Sequence, residues 1–188
     1  MNVFSLEERQ ELLKLARNTI GAEFKINAIQ DVSKFTETKF QEKRGVFVTL
    51  VKSGKLRGCI GNILPVYPLL QAIQKNAIAA AFEDPRFSEL VESEFDEINI
   101  EISVLTLPEI LSFQTPEELI KKLHVGIHGV ILKKGYLSAT FLPQVWEELS
   151  DPEEFLSHLA LKAGLHPEEW KTGTIETYEV ESWEEARM

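Results

Sequence analysis

The sequence predicts an α+β protein with a mainly antiparallel β-sheet flanked by helices, and three observations support this class. Two patterns typical of hairpins cover residues 45–63 and 128–143, so neighbouring strands there pair without a crossover helix. Residues 98–104 alternate between apolar and polar side chains, which is typical of a half-buried antiparallel strand. The helical patterns occur singly between these strands, and no internal repeat or linker interrupts them.

The first helix is predicted over residues 6–20, where apolar side chains recur at helical spacing. Ser5 and Glu8 match a capping box at its start, and Gly21 is expected to end it. Residues 22–41 show a mixed pattern and are expected to be mostly irregular.

The first hairpin is predicted from the β-branched and apolar residues 46–51 and from a tight turn at Ser53 and Gly54. Gly58 and Gly61 weaken a plain returning strand, because glycine offers no side chain to pack. They indicate a bulge, or a place where a backbone or a ligand approaches closely.

Helix and strand signals continue along the rest of the chain. A helix from Pro68 to Phe82 carries alanines on one face, which would let it lie close to a sheet. Asp84, directly before Pro85, is expected to cap a turn or a short helix. The later predicted elements are the strand over 98–104, a helix over 115–123, the hairpin over 128–143, helices from Pro143 to Trp146 and from Asp151 to Gly164, and a strand over 174–183 whose alternation slips once.

The length of 188 residues suits one domain spanning 1–188, with room for a larger and a smaller lobe. One cysteine cannot form an intrachain disulfide, and the acidic start of the chain lacks a signal-peptide pattern. These observations predict a protein of the reducing cytoplasm. No apolar run approaches the roughly 20 residues that span a bilayer, so no membrane association is expected.

Charge is distributed unevenly along the chain. The net charge is −10, but residues 43–82 contain no Asp or Glu and six Lys or Arg, which leaves −16 for the remainder. The positive field of this basic segment would attract a phosphate, a carboxylate or an acidic partner surface. Alternatively, its lysines at the hairpin tip are solvated turn residues without a ligand. The overall negative charge disfavours a nucleic-acid binder, because phosphate contacts require many cations.

The basic segment contains the stretch LRGCIG at residues 56–61, which holds the only cysteine of the chain. A thiol becomes nucleophilic when positive charge or backbone N–H groups stabilise its thiolate. Arg57 could supply the charge, and Gly58 and Gly61 could expose N–H groups. Arg57 and Cys59 share a face of the strand only if no bulge intervenes. The alternative is that Cys59 packs as a small buried hydrophobic residue.

A nucleophilic cysteine needs a base, and two residues are candidates. His128 lies at the mouth of the second hairpin, and Glu101 lies on the polar face of an otherwise apolar strand. Asp84 and Arg86 could position such a base, or could form an ordinary salt bridge. His124 and His128 are four residues apart, but nearby glycines argue against a helical metal pair, and no metal site is predicted. The absence of nucleotide-binding and hydrolase motifs gives no reason to expect a cofactor.

Several stretches occur in order between residues 56 and 165: LRGCIG, EDPRF, IEISVLT, HGVIL, and ATFLPQVWEE followed by FLSHLALKAGL. In these stretches the sequence resembles the AMMECR domain family, also called AmmeMemoRadiSam system protein A, whose hallmark is the six-residue motif. The resemblance implies a two-lobed α+β fold and an intracellular protein. It also implies association with a Memo-type protein and a radical-SAM-type protein, but it supplies no established reaction.

The resemblance also implies site residues, because the hallmark motif of the family is regarded as a candidate active site. The matching positions are Leu56, Arg57, Gly58, Cys59, Ile60 and Gly61 in the hallmark, Asp84, Pro85, Arg86 and Phe87 in the second block, and Gln144 in the third. The hallmark itself shows no departure from the family pattern.

Two hypotheses of different classes follow from these observations. In the first, the chain is a binding or accessory module whose basic, LRGCIG-centred site docks an acidic partner or an anionic small molecule. In the alternative, the chain is an enzyme in which Cys59 acts as a nucleophile or redox thiol. Arg57 would then hold an anionic group of the substrate, and His128 or Glu101 would act as the base.

Overall fold

The strands of the chain form two separate four-stranded sheets, one in each of two compact units. The computed structural model describes residues 3–26 and 31–186. The first unit comprises the described residues up to Leu105 and from Glu181 onward, and the second comprises Thr106–Val180. The paired strands are antiparallel and helices accompany both sheets, which confirms the predicted α+β class. The sequence patterns did not divide the strands between two sheets.

The regular elements are numbered here in chain order. The α-helices are α1 (Leu6–Glu23), α2 (Thr38–Gln41), α3 (Leu69–Phe82), α4 (Pro116–Lys122) and α5 (Pro152–Lys162). The strands are β1 (Val46–Lys52), β2 (Lys55–Asn62), β3 (Ile98–Leu105), β4 (Glu109–Ile110), β5 (Gly129–Lys134), β6 (Leu137–Phe141), β7 (Thr174–Tyr178) and β8 (Val180–Glu184). Short 3-10 helices cover Glu92–Glu94, Pro143–Glu147 and Pro167–Thr172. Among these described helices, none has both the length and the hydrophobicity of a membrane-spanning segment.

In the first unit, the sheet has the strand order β2-β1-β3-β8, and α1 and α3 pack against one of its faces. Alternate residues of β1 and β3 are buried against these helices, because successive side chains of a strand point to opposite faces. These alternate positions are Val46, Val48 and Leu50 in β1 and Ile98, Ile100, Ile102 and Val104 in β3; at the end of β3, Ser103 and Leu105 are buried as well. We call the opposite face, which carries Thr49, the outer face of this sheet.

Helix α1 begins as predicted and ends later than predicted. The Ser5 hydroxyl accepts from the Glu8 backbone N–H, and the Glu8 carboxylate accepts from the Ser5 N–H, which confirms the capping box. The prediction that Gly21 ends the helix is wrong, because Gly21 is buried within α1 and the helix continues to Glu23. Residues 22–41 were expected to be mostly irregular, and beyond α1 they contain the short helix α2. Residues 27–30 of this stretch lie outside the described residues.

Both predicted hairpins are present and turn where the sequence indicates. The first turns through Ser53 and Gly54, whose φ angles of 51° and 75° are both positive. A two-residue turn of this kind matches the right-handed twist of the strands that it joins. The second hairpin pairs β5 with β6 and turns through Gly135, whose φ is 58°.

A β-bulge interrupts the first hairpin at Arg57. Val51 pairs with Leu56, but the next residue of β1, Leu50, pairs with Gly58. Arg57 is therefore an extra residue in β2, opposite no residue of its own in β1. The bulge predicted from the glycines is confirmed, and it changes the face to which all later residues of β2 point.

The backbone of β2 approaches helix α3 closely at Gly58. A β-carbon on Gly58 would lie 2.1 Å from the backbone carbonyl oxygen of Ala80, far inside van der Waals contact. On the outer face, a β-carbon on Gly61 would lie 2.3 Å from the ring of Phe47. The close approach of a backbone predicted from these glycines is confirmed at Gly58, whereas the nearest group at Gly61 is a side-chain ring.

In the second unit, the sheet has the strand order β4-β7-β5-β6. Thr115 and Asp151 cap α4 and α5 with their side chains, and Gly164 with a φ of 77° follows the end of α5. The core of this unit is formed by buried apolar side chains from its helices and strands. These are Leu119, Leu123, Val130, Leu132, Trp146, Phe155, Leu156, Leu159, Ala160, Trp170 and Ile175.

The late strand predicted over 174–183 is two strands. β7 ends at Tyr178 and belongs to the sheet of the second unit, whereas β8 begins at Val180 and belongs to the sheet of the first. The prediction of one continuous strand is wrong, because the chain changes sheet at Glu179, the residue between the two strands. The slip in the apolar alternation falls earlier, within β7, where Ile175 and Tyr178 point to opposite faces of the sheet.

We predict that Gly58→Ala lowers the free energy of unfolding by about 2–3 kcal/mol, because the added methyl group overpacks the contact with α3. Adding Ala80→Gly should not restore stability, since the atom that blocks the methyl group belongs to the backbone. Urea unfolding followed by circular dichroism measures both effects. Leu56→Ala, at an exposed position of the same strand, serves as the control. A Gly58→Ala variant as stable as this control would contradict the close approach.

Candidate functional site

Cys59 lies on the outer face of the first sheet. It pairs with Thr49 across the hairpin, and the Thr49 hydroxyl donates to Cys59 Sγ at 3.2 Å. The thiol is partly exposed and points away from α3; it is Gly58 that packs beneath that helix. Without the bulge, the register set at the turn would pair Cys59 with Val48, whose side chain is buried in the core. The bulge therefore decides that Cys59 is available at a surface.

The carboxylate of Asp84 is bonded to the backbone of Cys59. β2 is an edge strand, so its outward N–H and C=O groups have no neighbouring strand. The Cys59 N–H donates to Asp84 Oδ2 at 2.8 Å, and the Asp84 side chain is only 2% exposed. The turn predicted at Asp84 is confirmed, because the Arg86 N–H donates to Asp84 Oδ1 at 3.1 Å. Asp84 thus joins the segment after α3 to the strand that carries the thiol.

Arg86 completes this arrangement. Its Nε and Nη2 donate to the two oxygens of Asp84 at 2.9 and 2.7 Å, and Nη2 also donates to the Cys59 carbonyl at 3.1 Å. Both outward backbone groups of Cys59 are therefore bonded to this ion pair. The Arg86 side chain is 54% exposed, and its Nη1 makes no hydrogen bond within the described residues. We call Cys59, Thr49, Asp84 and Arg86 the thiol site.

Electrostatics keep this ion pair charged. The hydrogen bonds from the Arg86 side chain, assisted by the Cys59 and Arg86 N–H groups, hold the pKa of Asp84 well below its usual range. Asp84 in turn raises the pKa of Arg86, and the neighbouring Cys59 side chain adds to this increase. The thiol thus has Arg86, a residue outside the basic segment, as a neighbouring cation.

Arg57 is bonded within the protein at four points. Its Nε and Nη2 donate to the carboxylate of Glu94 at 3.1 and 2.8 Å. Nη1 donates to the Ser88 carbonyl at 2.9 Å and Nη2 to the Glu89 carbonyl at 3.2 Å. The side chain is 12% exposed. In this geometry Arg57 anchors the segment 88–94 beside β2, and its donors face protein acceptors.

Half of the cations in the basic segment are paired with carboxylates that the fold brings to them. Three of its six cations form ion pairs with acids from outside the segment, namely Arg44, Lys52 and Arg57. Within the described residues, no ion pair is found for Lys43, Lys55 and Lys75. A stretch without acids in the sequence is therefore not one cationic patch on the surface.

Glu101 shares the outer face with the thiol site. It pairs with Thr49 from β3, so the cross-strand row runs from Cys59 through Thr49 to Glu101. The Ser103 hydroxyl donates to the Glu101 carboxylate at 3.4 Å. No hydrogen bond joins Glu101 to Cys59 among the described residues, because Thr49 stands between them.

His128 belongs to the second unit, in the loop before β5. Its Nδ1 accepts from the His124 backbone N–H at 3.2 Å, and the two rings stack with centroids 4.6 Å apart. A neutral ring that accepts at Nδ1 carries its proton on Nε2. Burial lowers the pKa of His128, and His124 lowers it further. In the described part of the chain, no cluster of His, Cys, Asp or Glu could hold a metal ion.

The remaining predicted site residues are distributed over several environments. Leu56 is 44% exposed before the bulge, and Ile60 packs against the core of the first unit. Gly61 lies against Phe47 on the outer face. Gln144 is exposed on a 3-10 helix of the second unit.

The structure adds one residue that the sequence analysis missed, Thr49. Counting back from the Ser53-Gly54 turn pairs Cys59 with Val48, and only a shift of one residue brings it opposite Thr49. The glycines indicated a bulge, but they did not indicate on which side of Cys59 it lies. Placing it at Arg57 would have identified both Thr49 and the exposed face of the thiol.

We predict that the Arg57–Glu94 pair makes stability dependent on acid. Arg57 foremost, and Lys52 as well, lower the pKa of Glu94 from 4.5 to about 2. A folded pKa below the unfolded value means that the contribution is complete above about pH 5 and is lost as the pH falls toward 2. Glu94→Gln should therefore cost about 2 kcal/mol at pH 7 and progressively less below pH 5.

Urea unfolding at stepped pH measures this difference between the wild type and Glu94→Gln. Glu92→Gln, an exposed position of the same short helix, is the control and should remain close to the wild type throughout. A difference for Glu94→Gln that is constant from pH 7 to pH 2.5 would contradict the ion pair.

Comparisons with known proteins agree with the fold and with the family resemblance. The AMMECR1 family profile matches residues 13–183. Protein MK0488 of Methanopyrus kandleri is 44% identical over 186 residues, which covers 95% of this chain and 87% of the relative. Protein Mbar_A1807 of Methanosarcina barkeri is 45% identical over 170 residues, covering 88% and 84% of the two chains.

A solved structure is also similar. The uncharacterized protein PH0010 from Pyrococcus horikoshii superposes with a TM-score of 0.74 at 40% sequence identity, over 94% of this chain and 91% of that one. The profile match extends over both units, and similarity to the relatives and to the solved structure covers most of the chain. The chain therefore belongs to the AMMECR1 family.

Proposed function

We propose that the chain is a binding module that receives an anionic group beside Cys59, at the exposed guanidinium of Arg86. The observation that carries this proposal is the state of Arg86. The guanidinium is held by a buried carboxylate, Asp84, yet it is 54% exposed and keeps the Nη1 donors unused among the described residues. An anion bound there would accept charge-assisted hydrogen bonds, which are stronger than neutral ones.

The arrangement favours a ligand because the receptor is already ordered. Asp84 fixes the plane of the guanidinium through two bonds, so binding would not have to immobilise a free arginine side chain. The Asp84–Arg86 pair has no net charge, so recognition depends on the short-range donors of Nη1. Arg86 takes the role in anion binding that the sequence analysis gave to Arg57, whose donors are already bonded to protein acceptors.

As an accessory module of the cytoplasm, the chain would act with the Memo-type and radical-SAM-type proteins that the family resemblance implies. A carboxylate of such a partner, or a free anionic small molecule, could occupy the same donors. Co-purification of each candidate partner with the wild type and with Arg86→Gln tests this part of the proposal. Equal recovery with both forms would exclude Arg86 from the contact.

One observation favours a second candidate, an enzyme with Cys59 as nucleophile or redox thiol. The Thr49 hydroxyl donates to Sγ at 3.2 Å, and Arg86 lies beside it, so a thiolate there would have a donor and a cation. Arg86 would then hold the anionic group of the substrate. The roles of His128 or Glu101 as the base stay predictions.

The proposal is tested by comparing two alkylating reagents on Cys59, anionic iodoacetate and neutral iodoacetamide. In both reactions the thiolate displaces iodide and forms a carbon–sulfur bond, so the ratio of rates reports on the charge of the reagent alone. We expect Arg86→Gln to lower the iodoacetate rate, relative to iodoacetamide, by about fivefold, as for two charges about 4 Å apart in water. Lys55→Ala, which removes an exposed cation of the same strand, is the matched control.

An unchanged ratio in Arg86→Gln would overturn the proposal. The iodoacetamide rate also separates the two candidate functions. A Cys59 that reacts much faster than a free cysteine at the same pH supports the enzyme, whereas an ordinary rate supports the binding module.

A further inference from the structure

We infer that the ligand of the thiol site is a zwitterion, with an anionic group at Arg86 and an ammonium group at Glu101. The inference rests on the proposed anion receptor and adds a second, independent observation. Glu101 is a half-buried carboxylate on the same face of the sheet, and within the described residues it has no cation as a partner.

In lacking a cationic partner among the described residues, Glu101 differs from the other buried or half-buried acids of the first unit. Every other buried or half-buried carboxylate that the structure describes there forms an ion pair with a Lys or Arg. These acids are Glu8, Glu11, Glu42, Asp84, Glu94, Glu181 and Glu185. Glu101 has only the Ser103 hydroxyl, at 3.4 Å, and that hydroxyl is shared with Ser182 at 2.8 Å. A carboxylate partly withdrawn from water favours a cationic donor, and a ligand ammonium would supply it.

The sheet sets a minimum for the distance between Arg86 and Glu101, because Arg86 bonds the outward carbonyl of Cys59 and so lies beyond the Cys59 end of the cross-strand row. Cys59, Thr49 and Glu101 are direct cross-strand partners, so their side chains project from the same face in one row. Neighbouring strands are about 4.8 Å apart, and Glu101 is two strands from Cys59, so the row spans about 10 Å. Thr49 lies midway along the row, with its hydroxyl bonded to Cys59 Sγ.

This spacing selects the chemical class. Glycine and other short amino acids cannot reach both groups. A carboxylate and an ammonium about 10 Å apart occur in a long ω-amino acid, or at the two ends of an extended tripeptide, at about 3.3 Å for each residue. The shared chemistry is an elongated zwitterion lying across β2, β1 and β3.

The test is protection of Cys59 against iodoacetamide by four compounds: 8-aminooctanoate, octanoate, glycine and triglycine. We expect 8-aminooctanoate to protect at about tenfold lower concentration than octanoate, because it adds a hydrogen bond between two charged groups. Glycine should protect no better than octanoate. Glu101→Gln should remove the advantage of 8-aminooctanoate and leave octanoate unchanged, whereas Glu23→Gln, at the exposed end of α1, should change neither. If triglycine protects Cys59 in the wild type but not in Glu101→Gln, the two charged ends of a peptide are identified as the source of the zwitterion.

The outcomes separate this inference from the proposed function. Octanoate and 8-aminooctanoate could protect Cys59 equally, with protection unaffected by Glu101→Gln but lost in Arg86→Gln. That result would overturn the zwitterion and support the anion receptor alone. Absence of protection by any of the four compounds, together with an Arg86→Gln variant that alkylates like the wild type, would overturn both.

Discussion

The extra residue at Arg57 in β2 determines what the first sheet presents to a ligand. A strand alternates its side chains with a period of two, so one inserted residue reverses the face of everything that follows. Without the bulge, the register set at the turn would place Cys59 opposite the buried Val48. With the bulge, Cys59 lies opposite Thr49 on the outer face. The same shift brings Gly58 against α3, where no side chain fits.

Two arginines join the segment after α3 to this edge strand. Arg57, the residue of the bulge, reaches the Glu94 carboxylate and two backbone carbonyls, while Arg86 reaches back through Asp84 to the backbone of Cys59. The bonds from Asp84 and Arg86 also occupy backbone groups of Cys59 that an edge strand would otherwise leave open to pairing with other chains. The two arginines differ in exposure: Arg57 faces protein, and Arg86 keeps a face toward solvent. This difference is the physical reason for assigning anion binding to Arg86.

The sequence was sufficient for the local elements, because their signals are local. The Ser5 cap, the Ser53-Gly54 turn and the alternation of β3 each depend on a few neighbouring residues. The features that the sequence could not predict depend on contacts between residues that are distant in the chain. The acid-free basic segment acquires carboxylates such as Glu94 only through folding, so its charge could not be read from composition. Likewise, the sequence pointed to Arg57 as the cation beside Cys59. In the structure Arg86, 27 residues after Cys59, is the cation bonded to it.

The most direct test of the account is hydrogen exchange at the Cys59 amide. The outward amide of an edge strand exchanges rapidly unless an acceptor holds it. The bulge together with the Asp84 bond predicts slow exchange in the wild type, and an acceleration of at least about tenfold in Asp84→Ala, measured relative to the amides of β1 that pair with β3. Rapid exchange of this amide in the wild type, or exchange that Asp84→Ala leaves unchanged relative to β1, would contradict the arrangement on which the thiol site depends.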